Sequence, residues 1–347
     1  MRLFVKAALF QDVVVFQDVI KKEATLYSTL LNKLMDYSDN LWCGKCYYSR
    51  DNLFVMQNIE DLGYAQLPED TRFLSEQQLY PLLKSLATLH ASSIAYERRQ
   101  QTTIAVEFKD CLQEFSIDPE IPWWQTGIKA VLAVAATHPL VAKDLQAQVY
   151  IAQELPKHLT AASQMVNPST KHRNVFLHRD SWLGNVFFHK SQSELCCVLV
   201  DFQLCRYAPP AIDFLMATHF NLEPALQREL QPRLVAYYYE NLQQQLQAMQ
   251  IVPAEEQLSR AEFEQSLQDL ALFGVVYNCV VATVLHLPKD YLKNLKQHSP
   301  EEFQHFSFVD RTESILSLMR EHADYKRYMY DCLEDLLALT YCKQNKK

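Results

Sequence analysis

His178-Arg179-Asp180-Ser181-Trp182-Leu183-Gly184-Asn185, followed further on by Asp201-Phe202-Gln203, is the stretch that decides how this chain is read. It sets out, in order, the polar groups of a phosphoryl-transfer site. Asp180 can take the proton of an attacking hydroxyl, Asn185 can hold a magnesium ion, and Asp201 can hold the metal that bridges nucleotide phosphates. Such chemistry is mostly positioning plus charge neutralisation, so it needs one base and hard oxygen ligands within a few ångströms. Between Asn185 and Asp201 lie Val186-Phe187-Phe188, a polar turn from His189 to Glu194, and Leu195-Cys196-Cys197-Val198-Leu199-Val200. Two short apolar runs around such a turn predict a β-hairpin that returns Asp201 beside Asn185. A three-residue match alone arises by chance; the Asn, the hairpin and the second Asp at this distance make the block specific. The competing reading is a structural turn with solvated carboxylates. Phe202 and Trp182 read as packing residues, and His178 as a residue that orients the loop through hydrogen bonds.

Composition bounds the rest. A chain of 347 residues has room for one large domain or two lobes sharing a core. Hydrophobic content of 49% and aromatic content of 12% suit a globular protein, and a net charge of −8 argues against non-specific nucleic-acid binding. Only five glycines fit a helix-rich chain. The nine cysteines form no regular framework, and Lys6 and Asp12 interrupt the apolar start, so free thiols in the cytoplasm are expected, with no signal peptide. Cys43 and Cys46 form a Cys-x-x-Cys pair, yet a structural zinc site takes four ligands and no second pair follows. Ala271 to Leu285 is the longest apolar stretch. It falls short of the roughly 20 residues of a bilayer span, so a buried core helix and no membrane partner are expected.

Arg2 to Ala7 reads as a strand, Phe16 to Met35 carries apolar residues at helical period, and Leu41–Tyr48 and Asn52–Asn58 read as two strands across a polar turn. This is the order of a kinase small lobe from its third strand onward. Gln57 to Gly63 then forms the hinge, where main-chain groups can hydrogen-bond adenine. From Ser75 the pattern is helical, and His90 on its apolar stripe reads as a hydrogen-bonded core histidine. Helices follow to about Val166, interrupted by Pro119-Glu120-Ile121-Pro122, and resume after the hairpin; Asp310 with Glu313 suggests a capping box. The fold class expected is α+β: a small sheet-bearing lobe, residues 1–62, and a large helical lobe, residues 63–347, containing the catalytic loop and hairpin 178–203.

Lys6 sits in Leu-Phe-Val-Lys, the strand context in which kinases place the lysine that contacts the α/β-phosphates, and Glu23 in the following helix can pair with it. An ordinary edge-strand Lys near a solvated Glu is the competing reading, outweighed by the block at 178–203.

On these residues the chain resembles the ecdysteroid-kinase-like (CHK kinase-like) proteins of insects, which are related to aminoglycoside phosphotransferases and choline kinases. Those proteins carry a loop similar to His-Gly-Asp-Leu-Trp-x-x-Asn and then Val-Asp-Phe-Gln. The resemblance extends to Leu3-Phe4-Val5-Lys6, Lys22-Glu23 with Tyr27, Phe54-Val55-Met56-Gln57-Asn58-Ile59, Leu89-His90-Ala91 and Pro209-Pro210-Ala211-Ile212-Asp213-Phe214, and beyond about Glu240 only to helical character. It implies a two-lobed protein-kinase-like fold, ATP and Mg2+ as cofactors, and Gln57, Asn58 and Ile59 seating the adenine. Two departures stand out. Arg179 replaces the usual Gly, as in protein kinases, and Gln57 replaces the usual Glu. The family also places two strands and a phosphate loop ahead of Lys6, where five residues, none of them Gly, stand here. The expectation is an incomplete gene product or poor nucleotide binding.

No Ala-Pro-Glu occurs, and Pro209-Pro210 and Asp213 follow Asp201 too closely for a peptide-docking platform. A protein substrate is therefore not expected, and Asp213 is read as a buttress of the catalytic loop. The acceptor expected is a small-molecule alcohol, by the resemblance an ecdysteroid or similar lipophilic one. Trp123, Trp124 and Tyr207 are possible pocket walls, though aromatic residues are more often core. Choline is a possible acceptor, and a catalytically impaired binding protein lacking the phosphate loop is the alternative function.

Overall fold

Strand β1, Leu3–Ala7, lies at one edge of a three-stranded antiparallel sheet of order β1-β3-β2, with β2 spanning Cys46–Arg50 and β3 Leu53–Gln57. The computed structural model describes residues 2–7, 14–190 and 194–344. The register pairs Phe4 with Met56 and Lys6 with Phe54. Side chains alternate across a strand, so Lys6 shares a face with the buried Phe54 and Met56, while Leu3, Val5 and Tyr48 lie on the exposed face.

The segment predicted as one helix from Phe16 to Met35 runs as Val14–Leu26, a π-helical turn at Tyr27–Leu31 and Asn32–Met35. Tyr27 is buried in that turn, its ring 5.0 Å from Phe54 and 5.8 Å from Phe202. The strand expected over Leu41–Tyr48 is shorter and later. Trp42 and Cys43 are drawn instead to the hairpin, where the Leu199 amide donates to the Trp42 carbonyl at 2.8 Å, and Asn32 holds both the amide and the carbonyl of Cys46.

The helix Glu76–Gln100 starts with a capping box between Ser75 and Gln78. Its small polar side chains face the strands around the loop 178–185. Ser85 donates to the Cys197 carbonyl, and Ser93 accepts from the Phe176 amide. Strand β4, Val175–Leu177, pairs with β7, Arg206–Ala208; β5, Val186–Lys190, pairs with β6, Leu195–Leu199, as the hairpin predicted. The helix Ala211–Asn221 is buried throughout, which accounts for its lack of a polar face.

The chain forms two compact units. One contains Met1–Phe115, Asn167–Asn221 and Leu230–Gln268, and the residues expected from the sequence to act as base, hold metal or nucleotide, or support the loop fall in it. The other contains Ser116–Val166, Leu222–Glu229 and Asp269–Lys347. Inside the latter, Ala271–Leu285 is the core helix expected, with Phe273, Val276 and Val280 fully buried. Among the described residues no single helix is long and apolar enough to cross a membrane. The capping box at Asp310 does not form. The Asp310 amide, which Glu313 would have to accept from, already donates to the His305 carbonyl, and Glu313 pairs with Arg320. Asp310 caps a shorter turn by accepting from the Thr312 amide. The α+β class expected from the sequence is the class found.

Candidate active site

The loop expected to be catalytic leaves β4 and is held by Asp213. This carboxylate accepts from the His178 amide at 2.7 Å and the Arg179 amide at 2.8 Å, and His90 Nε2 lies 3.1 Å from it. Burial works to raise the Asp213 carboxyl, but the hydrogen bonds from His90 and the His178 amide, with the attraction of the two imidazoles, hold it below its ordinary value. Asp213 thus stays an acceptor for two amides at once. Burial lowers His178, so its ring is neutral. Nε2 then donates to the Val200 carbonyl at 3.0 Å, and Nδ1 accepts from the Asp180 amide at 3.2 Å. One ring therefore ties the loop to the residue before Asp201.

Arg179 adopts φ 69°, the left-handed region where glycine is favoured, which explains why Gly is the usual residue in this loop. Its side chain is fully buried and reaches Glu114 at 3.5 Å. Asp201 is also left-handed, at φ 67°.

Asp180 and Asn185 face one another. Asn185 Nδ2 donates to the Asp180 carboxylate at 2.7 Å and to its carbonyl at 2.9 Å. Both Nδ2 hydrogens are committed, which leaves the carboxamide oxygen as the atom for a cation. The Val200 amide donates to the Asn185 carbonyl at 3.0 Å, so Asp201 is delivered next to Asn185. Burial, then the charge of Asp201, pushes the Asp180 carboxyl up to about 7, against the Asn185 hydrogen bond.

Lys6 Nζ bridges two carboxylates, Glu23 at 2.7 Å and Asp201 at 2.8 Å. Burial pulls the ammonium down, but the two carboxylates hold it above its ordinary value. Glu23 is 1% exposed, and burial pushes it up against the pull of Lys6. Its other oxygen accepts from the Phe202 amide at 2.9 Å. The preceding residue, Lys22, is buried and donates to the Gln113 and Cys205 carbonyls, each at 2.8 Å. Two consecutive helix residues thus grip both ends of the turn that follows Asp201.

At the expected hinge the Gln57 amide donates to the Lys45 carbonyl, while the carbonyls of Asn58 and Ile59 accept from Asp61 and Tyr64. The Asn58 side chain caps the turn by accepting from Glu60. These partners narrow the main-chain groups available to a base. Of the suggested pocket walls, Trp124 and Tyr207 are buried core, and the half-buried Trp123 ring stands under the Arg311 guanidinium at 5.1 Å. Cys43 is buried and its thiol raised by burial. Among the described residues no three His, Cys, Asp or Glu side chains form a metal cluster. Two carboxylates and a carboxamide oxygen suit a hard cation that draws its remaining ligands from phosphates and water.

The positioning roles of Lys22, Asn221 and Tyr238 were not anticipated. Asn221 had a readable signal, a polar residue two turns beyond Asp213 on a largely apolar helix.

The family model described as ecdysteroid kinase-like matches residues 2–251. No curated protein matches the chain. Similar solved structures include an ethanolamine kinase of Plasmodium vivax, at 13% identity over 98% of this chain and 77% of that one, with a TM-score of 0.43. The GDP and kanamycin complex of APH(2")-IIia is 14% identical over 92% and 93% of the two chains, TM-score 0.43. Spectinomycin phosphotransferase APH(9)-Ia with ADP and spectinomycin is 13% identical over 96% and 85%, TM-score 0.43.

Proposed function

The chain belongs to the ecdysteroid kinase-like family, and from that premise we propose that it is an ATP-dependent kinase for a hydroxyl of a small molecule, an ecdysteroid or similar lipophilic alcohol. The observation that carries this reading is the Lys6 ammonium held between Glu23 and Asp201, in the same unit as the Asp180–Asn185 pair. In this reading Asp180 is the general base. A carboxyl raised to about 7 is matched to taking a proton near neutral pH, where base catalysis is most effective. Lys6 neutralises the nucleotide phosphates and Glu23 keeps it extended. Asn185 and Asp201 would hold Mg2+, which when bound supplies charge neutralisation to the phosphates. Asp213 and His178 keep the loop in place, and main-chain groups at Gln57, Asn58 and Ile59 left free by the hinge turn seat the base. Residues 1–62 act as the small lobe and 63–347 as the larger, in the cytoplasm.

The test is turnover of ATP with a panel of lipophilic alcohols that includes an ecdysteroid, comparing wild type with Asp180→Ala and Asp201→Ala. Both substitutions are expected to lower kcat by about 10²-fold or more, the scale of lost acid–base or positioning catalysis. Unchanged turnover in both would remove the assignment. Calorimetric titration with ATP, with and without Mg2+, adds a binding readout. Heat that does not depend on Mg2+ would speak against Asn185 and Asp201 as its ligands.

A further inference from the structure

The helix Ala211–Asn221 touches the catalytic loop twice, and only its first contact was expected. At its start Asp213 takes the amides of His178 and Arg179, the residues just before Asp180. At its last residue Asn221 reaches the other side, its Nδ2 donating to the Ser181 carbonyl at 2.8 Å. Eight residues of helix separate the two grips by about 12 Å. Asp180 therefore lies on a peptide segment fastened both before and after it.

Asn221 is built for this contact. It is fully buried, and its second Nδ2 hydrogen is spent on the Ala217 carbonyl, one turn back, at 2.8 Å. Two carbonyls on Nδ2 fix the amide orientation, since the flipped form would set oxygen against oxygen. Its backbone carbonyl accepts from the Leu74 amide, next to the start of the helix Glu76–Gln100. The side-chain oxygen is buried with no hydrogen-bond partner among the described residues. Burying such an oxygen is costly, and an apolar residue of the same shape would avoid that cost. A side chain retained at this expense, with both donors committed, is explained by the carbonyl it holds.

A second chain of contacts secures the near grip. His90 lies between Asp213 and the Tyr238 hydroxyl, 2.6 Å from His90 Nδ1, and Tyr238 packs on Phe214 and Phe263. The near side is anchored through Asp213, His90 and Tyr238; on the far side Asn221 holds the Ser181 carbonyl, next to the Asp180 carbonyl held by Asn185.

We propose that Asn221 is a positioning residue for the reaction assigned above: by holding the Ser181 carbonyl it fixes the far side of the peptide that presents Asp180. The inference rests on the phosphotransfer reading, and the experiment separates the two. Wild type, Asn221→Leu and Asn221→Gln are compared by thermal melting, by backbone amide hydrogen exchange, and by hydrolysis of MgATP with water as the acceptor. In Asn221→Leu the unpartnered oxygen is removed while the Ser181 carbonyl loses its donor; the two effects oppose one another, so melting is expected within a few degrees of wild type. Exchange over Asp180–Gly184 should rise about tenfold or more while the β5–β6 hairpin stays unchanged. The kcat for ATP hydrolysis should fall about 10- to 100-fold with KM for ATP within about twofold, as expected when a reacting group is misplaced by an ångström or less. Asn221→Gln, which keeps the donor, should recover part of both effects. Loop exchange identical to wild type in Asn221→Leu overturns the proposal. So does exchange rising equally in loop and hairpin, which would make Asn221 a general packing residue. Should wild type turn over no ATP with water or with any alcohol of the panel above, the phosphotransfer reading fails, and the exchange data still decide whether Asn221 holds the loop.

Discussion

Replacing Asp180 by Asn should stabilise the protein while removing the activity proposed above, and the size of the gain follows from the site. The Asp180 carboxyl stands at about 7 in the folded chain, against an ordinary value of 3.8, because of burial first and the Asp201 charge second. The sign follows by linkage. Between pH 4 and 7 the folded protein keeps a proton that the unfolded chain has released. Stability supplied by this group is therefore complete below about pH 4 and is lost as pH rises through about 7. Three pH units at about 1.36 kcal/mol each set a ceiling of about 4 kcal/mol. The residue is only half-buried by surface, so solvent reduces this, and about 1–3 kcal/mol is the expected difference at pH 8. The carboxamide keeps the shape and has no proton to lose. Urea unfolding of both proteins from pH 4.5 to 8.5 should give curves that nearly meet at the acid end and diverge with rising pH, the Asp180→Asn variant being the more stable. Equal stability at pH 8, or a less stable variant, would refute the idea that this carboxylate is held at electrostatic cost.

Two other outcomes follow from the site's surroundings. At Arg179, φ 69° favours glycine, so both Arg179→Gly and Arg179→Ala should lose the contact with Glu114, but Gly should be the more stable variant by about 1 kcal/mol; an Ala variant equal to Gly in chemical denaturation would contradict the strain argument. Burial lowers Lys22 from 10.5 to about 8, so the unfolded chain binds the extra proton between those values and wild-type stability should rise by up to about 3 kcal/mol across that window. Lys22→Met should flatten that part of the curve, and a variant that keeps the full rise would show that another group is responsible.

Much of the site was legible because its information is local. Asp180 and Asn185 are five residues apart on one loop, and a hairpin returns Asp201 to them whatever the remainder of the chain does. The pairing of Lys6 with Glu23 was legible because a strand followed by a helix leaves few ways to place two such residues. Boundaries were less so. The strand at Leu41–Tyr48 lost its first half because Trp42 and Cys43 find partners on the hairpin, and the Asp310 cap was altered because the His305 carbonyl had already taken the amide. Arg179 was read as a mere departure, although its left-handed backbone shows the conformational demand that Gly ordinarily meets.

What the amino-acid order determined unaided is the set of chemical groups and the short-range spacing that lets them meet: one carboxylate, an amide, a second carboxylate, and a lysine with its partner. Residue type and neighbouring turns suffice for that. Tertiary structure alone decided which side chains hold those groups still. Lys22 gripping the Cys205 carbonyl, Tyr238 behind His90, and Asn221 on the Ser181 carbonyl each join positions at least 40 residues apart. No local preference encodes such bonds, because a buried polar atom acquires its partner only when packing has removed water and brought a distant carbonyl or ring within reach.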